Sequence, residues 1–446
     1  MGDGTKTFRC EMLSPARDAL LDNGLLALII FAAVYIVMVL DLADRTVMVL
    51  FGALTMVGLG VLTEGEAIAA IKWEAIGLIF GMFILVAALT ESGFFRWIGL
   101  LALKKTKFDL LKIYIAFCAL SAFLAAFMDC ITVMVFMASL TVEVCVILKA
   151  PPLPIIFAEI FSANIGGSAT MVGDPPNVII GTALNMNFVD FVTHTAPIAM
   201  IAFSVNLIFF GLWYKKMFEK KDVDVKKIME EHKDLDPFGA VKDVNQMRMA
   251  LMVFAFTVTL LVLHSVLDLL VAYVAILGGA LVILLGRRRM DNLIEKIDWH
   301  TIVFLAGLFV MVGGLEKSGM FDQFANSLVG LSGDSPALIA SLLLWTVALL
   351  AAVFDNIPLS AAMVPVVQSI SAHTGVPVNS LAYTMTLGWD IGGNATPIGA
   401  STNIVGLAIA EKNGIKYSWK EYCKVGIPAV IITMIVVNLL VVLLLV

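Results

Sequence analysis

Residues 164–181 read NIGGSATMVGDPPNVIIG, and residues 390–407 read DIGGNATPIGASTNIVGL. Each block interrupts a long apolar run with adjacent glycines followed by proline, which removes a backbone donor and prevents a helix from continuing. Non-helical backbone at membrane depth is tolerated only where it is buried in protein or lines a cavity. We therefore predict two broken helices, over about 154–185 and 380–411, and we place the functional site at the breaks.

The two blocks belong to an internal repeat. The segment that begins at Trp73 aligns without a gap with the segment that begins at Trp299, an offset of 226 residues, and the same offset carries Asp129 onto Asp355. Matches at one offset in separated blocks indicate two related halves. The predicted organisation is a polar N-terminal segment (1–23), a first repeat (24–213), a linker (214–249) and a second repeat (250–446).

The composition is that of a membrane protein. Of the 446 residues, 60% are hydrophobic and 14% are charged, whereas a soluble domain has about 25% charged residues. Apolar runs of about 17 residues or more recur, and each must cross as a helix because lipid satisfies no backbone groups. We predict an all-α polytopic membrane protein, and we expect no nucleic acid among its partners.

Positive charge defines the predicted topology. If hairpins over about 110–148 and 336–374 return to the side they enter from, each half makes an odd number of crossings, so the second half is inverted. With the linker in the cytoplasm, all but five of the 29 Lys and Arg residues lie on the cytoplasmic side, as the positive-inside rule requires. The prediction is about ten transmembrane helices, two re-entrant hairpins, and both termini outside.

Carboxylates inside the bilayer cost about 2.5–3.5 kcal/mol each on insertion scales, and they mark a pathway or a partner. The sequence offers no Lys or Arg within a predicted span to pair with them, so we expect an ion or a proton as the partner. The two hairpin-tip aspartates can also cap the helices that follow them, and the two roles are compatible. The candidates are Asp129, Asp355, Asp390, Asp174 and Glu159.

The breaks themselves supply free carbonyl and N–H groups that can bind a cation and a substrate. Asn177 and Asn403 follow the breaks at matched spacing, where their amides either join the site or cap the next helix. Equivalent positions that differ between the halves predict an asymmetric site. Such pairs include Asn164 and Asp390, Asp174 and Ala400, and Cys130 and Asn356.

At these blocks the chain resembles the ion transporter superfamily, most closely the branch that contains the melanosomal P protein and the arsenite permeases. The resemblance is carried by the block from Asn164, by DNIPLSAAMVP from Asp355 and by GGNATPIGASTNIVGLAIAEKNG from Gly392. It implies two hairpins, two broken helices and an elevator-type movement, as in sodium/proton antiporters of the NhaD type and sodium-coupled dicarboxylate carriers. It also suggests a homodimer. Because the chain has no Walker A motif, ATP coupling would need a separate ATPase subunit.

Residues and resemblance together give two predicted sets of ligands. The coupling ion or proton is assigned to Asp129, Thr132, Asp355, Asn356, Thr170 and Thr396. A sodium ion at Asp129 and Asp355 is the only cofactor considered. The substrate is assigned to Asn164, Gly166, Gly167, Ser168, Asp174, Asn177, Asp390, Gly392, Gly393, Asn394, Asn403 and Cys130.

The leading functional prediction is a secondary active transporter of the plasma membrane, rather than an enzyme, that exports arsenite or antimonite and is driven by a proton or ion gradient. The Cys130 thiol, where P-protein-like sequences tend to have Asn, offers a ligand for trivalent arsenic. Sodium/proton antiport or sodium-coupled dicarboxylate transport on the same fold is the alternative. An intramembrane aspartyl protease with Asp129 and Asp355 as its dyad is the remote one.

Overall fold

The computed structural model describes residues 24–38, 42–219, 236–241, 243–286, 295, 297–317, 320–332 and 335–446. Every regular element in these ranges is helical, which confirms the all-α prediction. By length and composition, six of the described helices can cross a membrane, and six further apolar helices have 10–17 residues. The predicted N-terminal segment 1–23 and residues 220–235 of the linker lie outside the described residues.

The helices divide between the two halves. The first half contains Gly24–Met38, Arg45–Gly58, Glu64–Ala70, Trp73–Ser92, Phe94–Lys105, Leu110–Ala125, Cys130–Leu148, Leu153–Gly167, Pro175–Ala183 and Phe188–Trp213. The second contains Val244–Leu263, Val271–Leu285, Trp299–Glu316, Met320–Ser332, Pro336–Ala351, Asn356–Thr374, Val378–Gly392, Ser401–Lys412 and Trp419–Leu444. Short helical turns at Lys215–Phe218 and Pro237–Ala240 lie between them. The second half begins inside the predicted linker, because Asp243 caps its first helix by accepting from Asn245 N and Gln246 N.

The helix bounds repeat at the sequence offset. We call Leu110–Ala125 with Cys130–Leu148 the first hairpin, and Pro336–Ala351 with Asn356–Thr374 the second hairpin. The first broken helix is Leu153–Gly167 with Pro175–Ala183, and the second is Val378–Gly392 with Ser401–Lys412. The inversion of one half relative to the other and the elevator-type movement remain predictions.

The hairpins and broken helices of the two halves pack across one another. The first arm of each hairpin packs on the first segment of its own broken helix. The second arm packs on the second segment of the other half's broken helix, so Cys130–Leu148 contacts Ser401–Lys412 and Asn356–Thr374 contacts Pro175–Ala183. Both breaks and both hairpin tips therefore lie close together.

Two equivalent glycines allow the close approach of hairpin and broken helix. A methyl group on Gly166 would overlap the backbone of Ala122, and one on Gly392 would overlap the backbone of Ala348. Small residues at such positions let helix backbones approach closely within a membrane. Gly166 and Gly392, predicted as substrate ligands, thus have a packing role in this structure.

Candidate functional site

Threonine and asparagine side chains hold both breaks in the same way. Thr170 Oγ1 donates to the carbonyl of Ala126 in the first hairpin, and Thr396 Oγ1 donates to that of Ala352 in the second. These bonds satisfy carbonyl groups that the helix ends leave free. Each break is therefore tied to the turn of its own hairpin.

The asparagine that follows each break closes it from the other side. Asn177 Nδ2 donates to the carbonyls of Gly167 (3.0 Å) and Thr170 (3.2 Å). Asn403 Nδ2 donates to the carbonyls of Gly393 and Thr396, both at 2.9 Å. The amide nitrogens are thus occupied by the backbone, and only the amide oxygens face the site.

The two hairpin-tip aspartates cap the second arms of their hairpins. Asp129 Oδ2 accepts from the backbone N–H (3.0 Å) and the hydroxyl (3.1 Å) of Thr132. Asp355 Oδ1 accepts from the backbone N–H of Ile357 at 3.1 Å. The capping role foreseen from the sequence is present at both tips. Thr132, which was predicted as an ion ligand, provides both donors to Asp129 Oδ2.

Asp355 has a cationic partner that the sequence analysis missed. Arg45 Nη1 lies 3.1 Å from Asp355 Oδ2, and Ser401 Oγ donates to the same oxygen at 2.5 Å. No Lys or Arg lies within a predicted span, but Arg45, just before one, supplies the ion-pair partner that was not expected for Asp355. Arg45 begins the helix Arg45–Gly58, 310 positions away in sequence, so only the fold brings the two together.

A pair of buried carboxyl groups lies where the two broken helices meet. Asp174 is 5% exposed and Asp390 is 1% exposed, and their carboxyl groups are neighbours. Asn356 Nδ2 donates to Asp174 Oδ2 at 2.8 Å. Neither side-chain oxygen of Asp390 receives a hydrogen bond from a described residue. The pair joins one carboxylate from each half, and it sits at positions where the halves differ.

Amide oxygens extend this cluster. Asn177 is a neighbour of Asp390, and its Oδ1 is buried without a donor among the described residues. Asn164 Nδ2 donates to Asn394 Oδ1 (2.8 Å) and Asn403 Oδ1 (3.0 Å), which links the two broken helices. Asn164 Oδ1 is also buried without a described donor. Buried oxygens without donors suit a cation or a proton, because an unsatisfied buried acceptor is otherwise costly.

The Cys130 thiol already has hydrogen-bond partners within the protein. Its Sγ is buried and donates to the carbonyls of Gly173 (3.2 Å) and Ala163 (3.4 Å). A methyl group on Gly167 would come within 2.6 Å of this sulfur. Ser168 Oγ donates to the carbonyl of Ile165 at 2.7 Å. Cys130, Gly167 and Ser168, predicted as substrate ligands, therefore pack and hydrogen-bond within the first break.

Two cavities lie at equivalent places in the halves. The cavity at Asp129 has a volume of about 20 Å³ and includes Val172 and Val178 in its lining. The cavity at Asp355 has a volume of about 230 Å³ and includes the equivalent residues Ile398 and Ile404. Equivalent sites are thus closed in one half and open in the other. The larger cavity also contains residues the sequence analysis did not propose, namely Tyr35, Arg45, Tyr417 and Trp419.

The sequence model of the citrate transporter family matches residues 27–388. The chain belongs to this family. An uncharacterized transporter of Mycobacterium tuberculosis is 32% identical over 90% of this chain and 94% of its own length. The human P protein is 27% identical over 92% of this chain and 58% of its own length, which confirms the resemblance found in the motifs.

A solved structure shares the fold. The YdaH transporter of Alcanivorax borkumensis matches with a TM-score of 0.58, covering 84% of this chain and 86% of that one, at 12% identity. At this identity the likeness shows the fold alone. Family and relatives together establish a multi-pass membrane transport protein of the citrate transporter and P protein type.

Proposed function

We propose that this chain is a cation-coupled secondary transporter whose coupling proton or sodium ion binds at the Asp174–Asp390 pair. The observation that carries the proposal is the contact of two buried carboxyl groups, one from each broken helix, without a Lys or Arg bonded to them among the described residues. Two adjacent buried carboxylates cannot both remain charged without a counter-charge. A shared proton or a bound cation supplies it.

The position of the pair suits coupling. Each broken helix contributes one carboxyl group, and Asn356 at the second hairpin tip donates to Asp174, so any displacement of one half relative to the other changes the surroundings of the pair. Asn177 Oδ1 and Asp390 provide oxygen ligands of the kind that sodium accepts. By contrast, the three donors on Asp355 leave it less able to bind a cation in this conformation.

For the substrate we propose a small carboxylate anion, as the description of the family suggests. The cavity at Asp355 is large enough for a small organic ion and presents the Arg45 guanidinium. Arsenite or antimonite export, predicted from the resemblance, has less support because Cys130 is buried and already hydrogen-bonded. Sodium/proton antiport on the same carboxyl pair is the remaining candidate.

A protease function has little support from the same geometry. Asp129 bonds to Thr132, whereas Asp355 bonds to Arg45 and Ser401. A catalytic dyad needs two carboxyls that share a water and a proton, and the contacting pair here is instead Asp174 and Asp390. We accordingly propose transport without catalysis.

We place the protein in the plasma membrane with residues 214–249 in the cytoplasm and both termini outside. In this orientation the Asp355 cavity faces the cytoplasm, because its lining includes Tyr417 and Trp419 within the basic segment 412–424. A homodimer and a separate ATPase subunit remain predictions from the resemblance and the sequence.

The test is flux into proteoliposomes of purified protein. Radiolabelled citrate, succinate, arsenite and sodium are offered in parallel under imposed proton and sodium gradients. We expect gradient-dependent carboxylate uptake that Asp390→Asn abolishes, and that Asp268→Asn, a change of the same kind on an exposed turn, leaves intact. Arsenite flux without carboxylate flux would reassign the substrate. Gradient-dependent uptake by Asp390→Asn at the wild-type rate would show that the Asp174–Asp390 pair does not bind the coupling cation.

A further inference from the structure

Arg45 lines both the larger cavity and an outer depression. It lines this cavity together with Tyr35, Asp355 and Trp419, and it also lines an outer depression of about 600 Å³ together with Asp44 and His300. Its side chain is 41% exposed, whereas that of Asp355 is 14% exposed. The Arg45 side chain is therefore in reach of a solute in either space.

Asp355 does not depend on Arg45 for hydrogen bonds. Its Oδ1 accepts from Ile357 N at 3.1 Å, and its Oδ2 accepts from Ser401 Oγ at 2.5 Å. Both donors lie in the first turns of helices, Asn356–Thr374 and Ser401–Lys412, whose N-terminal ends favour a negative charge. The carboxylate therefore keeps two donors if the guanidinium turns away.

Arg45 has more N–H donors than its contact with Asp355 uses. A guanidinium carries five N–H donors and binds planar carboxylates through two parallel hydrogen bonds. The recorded contact with Asp355 uses Nη1 at 3.1 Å. Of the residues that line the two equivalent cavities, Arg45 is the one with a cationic side chain.

The equivalent place in the first half cannot take an anion in the same way. Residue 271, the equivalent of Arg45, is a valine. The cavity at Asp129 is lined by apolar side chains such as Leu78, Met82 and Phe83, and has a volume of only about 20 Å³. Anion recognition is therefore confined to the cavity at Asp355.

We propose that Arg45 is the residue that recognises the anionic group of the substrate, by exchanging the Asp355 carboxylate for a carboxylate of the ligand. This assignment rests on the proposed transport function and adds its specificity-determining residue. No bond is made or broken in the exchange, and the guanidinium keeps one carboxylate partner throughout. Asp355 then competes with the substrate carboxylate for Arg45, so replacing the two residues has opposite effects on the affinity for the substrate.

The test is equilibrium binding of radiolabelled citrate to purified full-length protein in detergent, where no gradient is needed. Arg45→Gln is expected to weaken citrate binding roughly 10- to 100-fold, as loss of a charge-assisted pair does. Asp355→Asn is expected to tighten it, because the neutral amide competes less well for the guanidinium. Arg96→Gln, which breaks an exposed Arg–Glu143 pair of 3.0 Å, is the matched control and is expected to leave binding unchanged.

Opposite effects of the two substitutions on citrate affinity distinguish anion recognition from a merely structural ion pair. Equal weakening by Arg45→Gln and Asp355→Asn, an unchanged affinity in Arg45→Gln, or no citrate binding by the wild-type protein would each overturn the proposal. Arg45-dependent binding without gradient-driven flux would instead contradict the coupled transport, while leaving the role of Arg45 in place.

Discussion

Asn177 and Asn403 hold their breaks by equivalent bonds, yet their amide oxygens have different surroundings. Asn403 Oδ1 accepts from Asn164 at 3.0 Å, whereas Asn177 Oδ1 is buried without a described donor. The two amides thus share a structural role, and only the one in the first half has an oxygen left for an ion. The asymmetry follows from one sequence difference, Asn164 against Asp390.

Replacing Asn403 by alanine tests the structural role. The carbonyls of Gly393 and Thr396 would lose their donor inside the protein, and each unsatisfied buried group costs about 1–3 kcal/mol. We therefore expect a lower midpoint of thermal unfolding in detergent. Asn413→Ala, at an exposed helix end, is the control and should change it little. Equal midpoints for the two variants would contradict the role.

A pH-dependent contact lies outside the membrane-spanning helices. Glu66 Oε1 is 2.6 Å from Lys317 Nζ, and the hydrogen bonds from Lys317 and then Thr63 lower the pKa of Glu66 from 4.5 to about 2. A lowered pKa means that the contact stabilises the folded protein fully above pH 4.5 and that this contribution is lost as the pH falls towards 2.

Glu66→Gln should therefore lower thermal stability at pH 6 by an amount that shrinks below pH 4.5. The comparison is made by thermal unfolding of both proteins across this range. Glu64→Gln, in the same exposed helix, is the control. A difference from wild type that stays constant down to pH 3 would show that the carboxylate charge is not involved.

The residues of the site could be predicted from the sequence better than the residues that they contact. Glycine pairs, prolines and membrane aspartates mark the breaks and tips through local chemistry, so they could be found without a structure. Which oxygens remain free depends on residues far apart in sequence, such as Arg45 with Asp355 or Asn356 with Asp174. The contact between Asp174 and Asp390 could not be foreseen, because they occupy non-equivalent positions in the two halves.

At the scale of helices, the close packing of hairpin against broken helix depends on glycine. In Gly166→Ala the added methyl group would overlap the Ala122 backbone, and overpacking of this kind costs typically 1–3 kcal/mol. We expect a lower unfolding midpoint and less folded protein in detergent. Gly330→Ala, on an exposed helical position with open space around it, should instead stabilise by up to about 1 kcal/mol. A change of stability in the same direction in both variants would show that the close packing at Gly166 is not the cause.

The sequence predicted the long apolar helices but missed two of the shorter ones. Phe94–Lys105 and Met320–Ser332 occupy equivalent places after the helices that begin at Trp73 and Trp299. The first contains Arg96, Lys104 and Lys105, and the second contains Asp322. Membrane spans are recognised in a sequence by uninterrupted apolar length, so helices that contain charged residues are missed.

For the whole molecule, the unequal cavities define a conformation. The Asp355 cavity of about 230 Å³ faces the cytoplasm in the predicted topology, while the equivalent cavity at Asp129 is reduced to about 20 Å³. Alternating access between two related halves requires such a difference, with the open and closed sides exchanged in the other state.

Cysteines at two equivalent positions can report this state. In a background without Cys10 and Cys423, Ile404→Cys should react with a water-soluble thiol reagent from the cytoplasmic side, and Val178→Cys should be protected. Labelling of inside-out vesicles measures both. Faster labelling of Val178→Cys would show that the opposite cavity is the open one.

Binding of the coupling cation by the Asp174–Asp390 pair can be examined by following the cation itself. Proteoliposomes that contain a pH-sensitive dye and, in parallel samples, radioactive sodium report cation movement when citrate is added. We expect citrate-dependent movement of protons or sodium in wild type and in Asp268→Asn, and its loss in Asp390→Asn, with citrate binding retained. Citrate-driven cation movement at the wild-type rate in Asp390→Asn would contradict it.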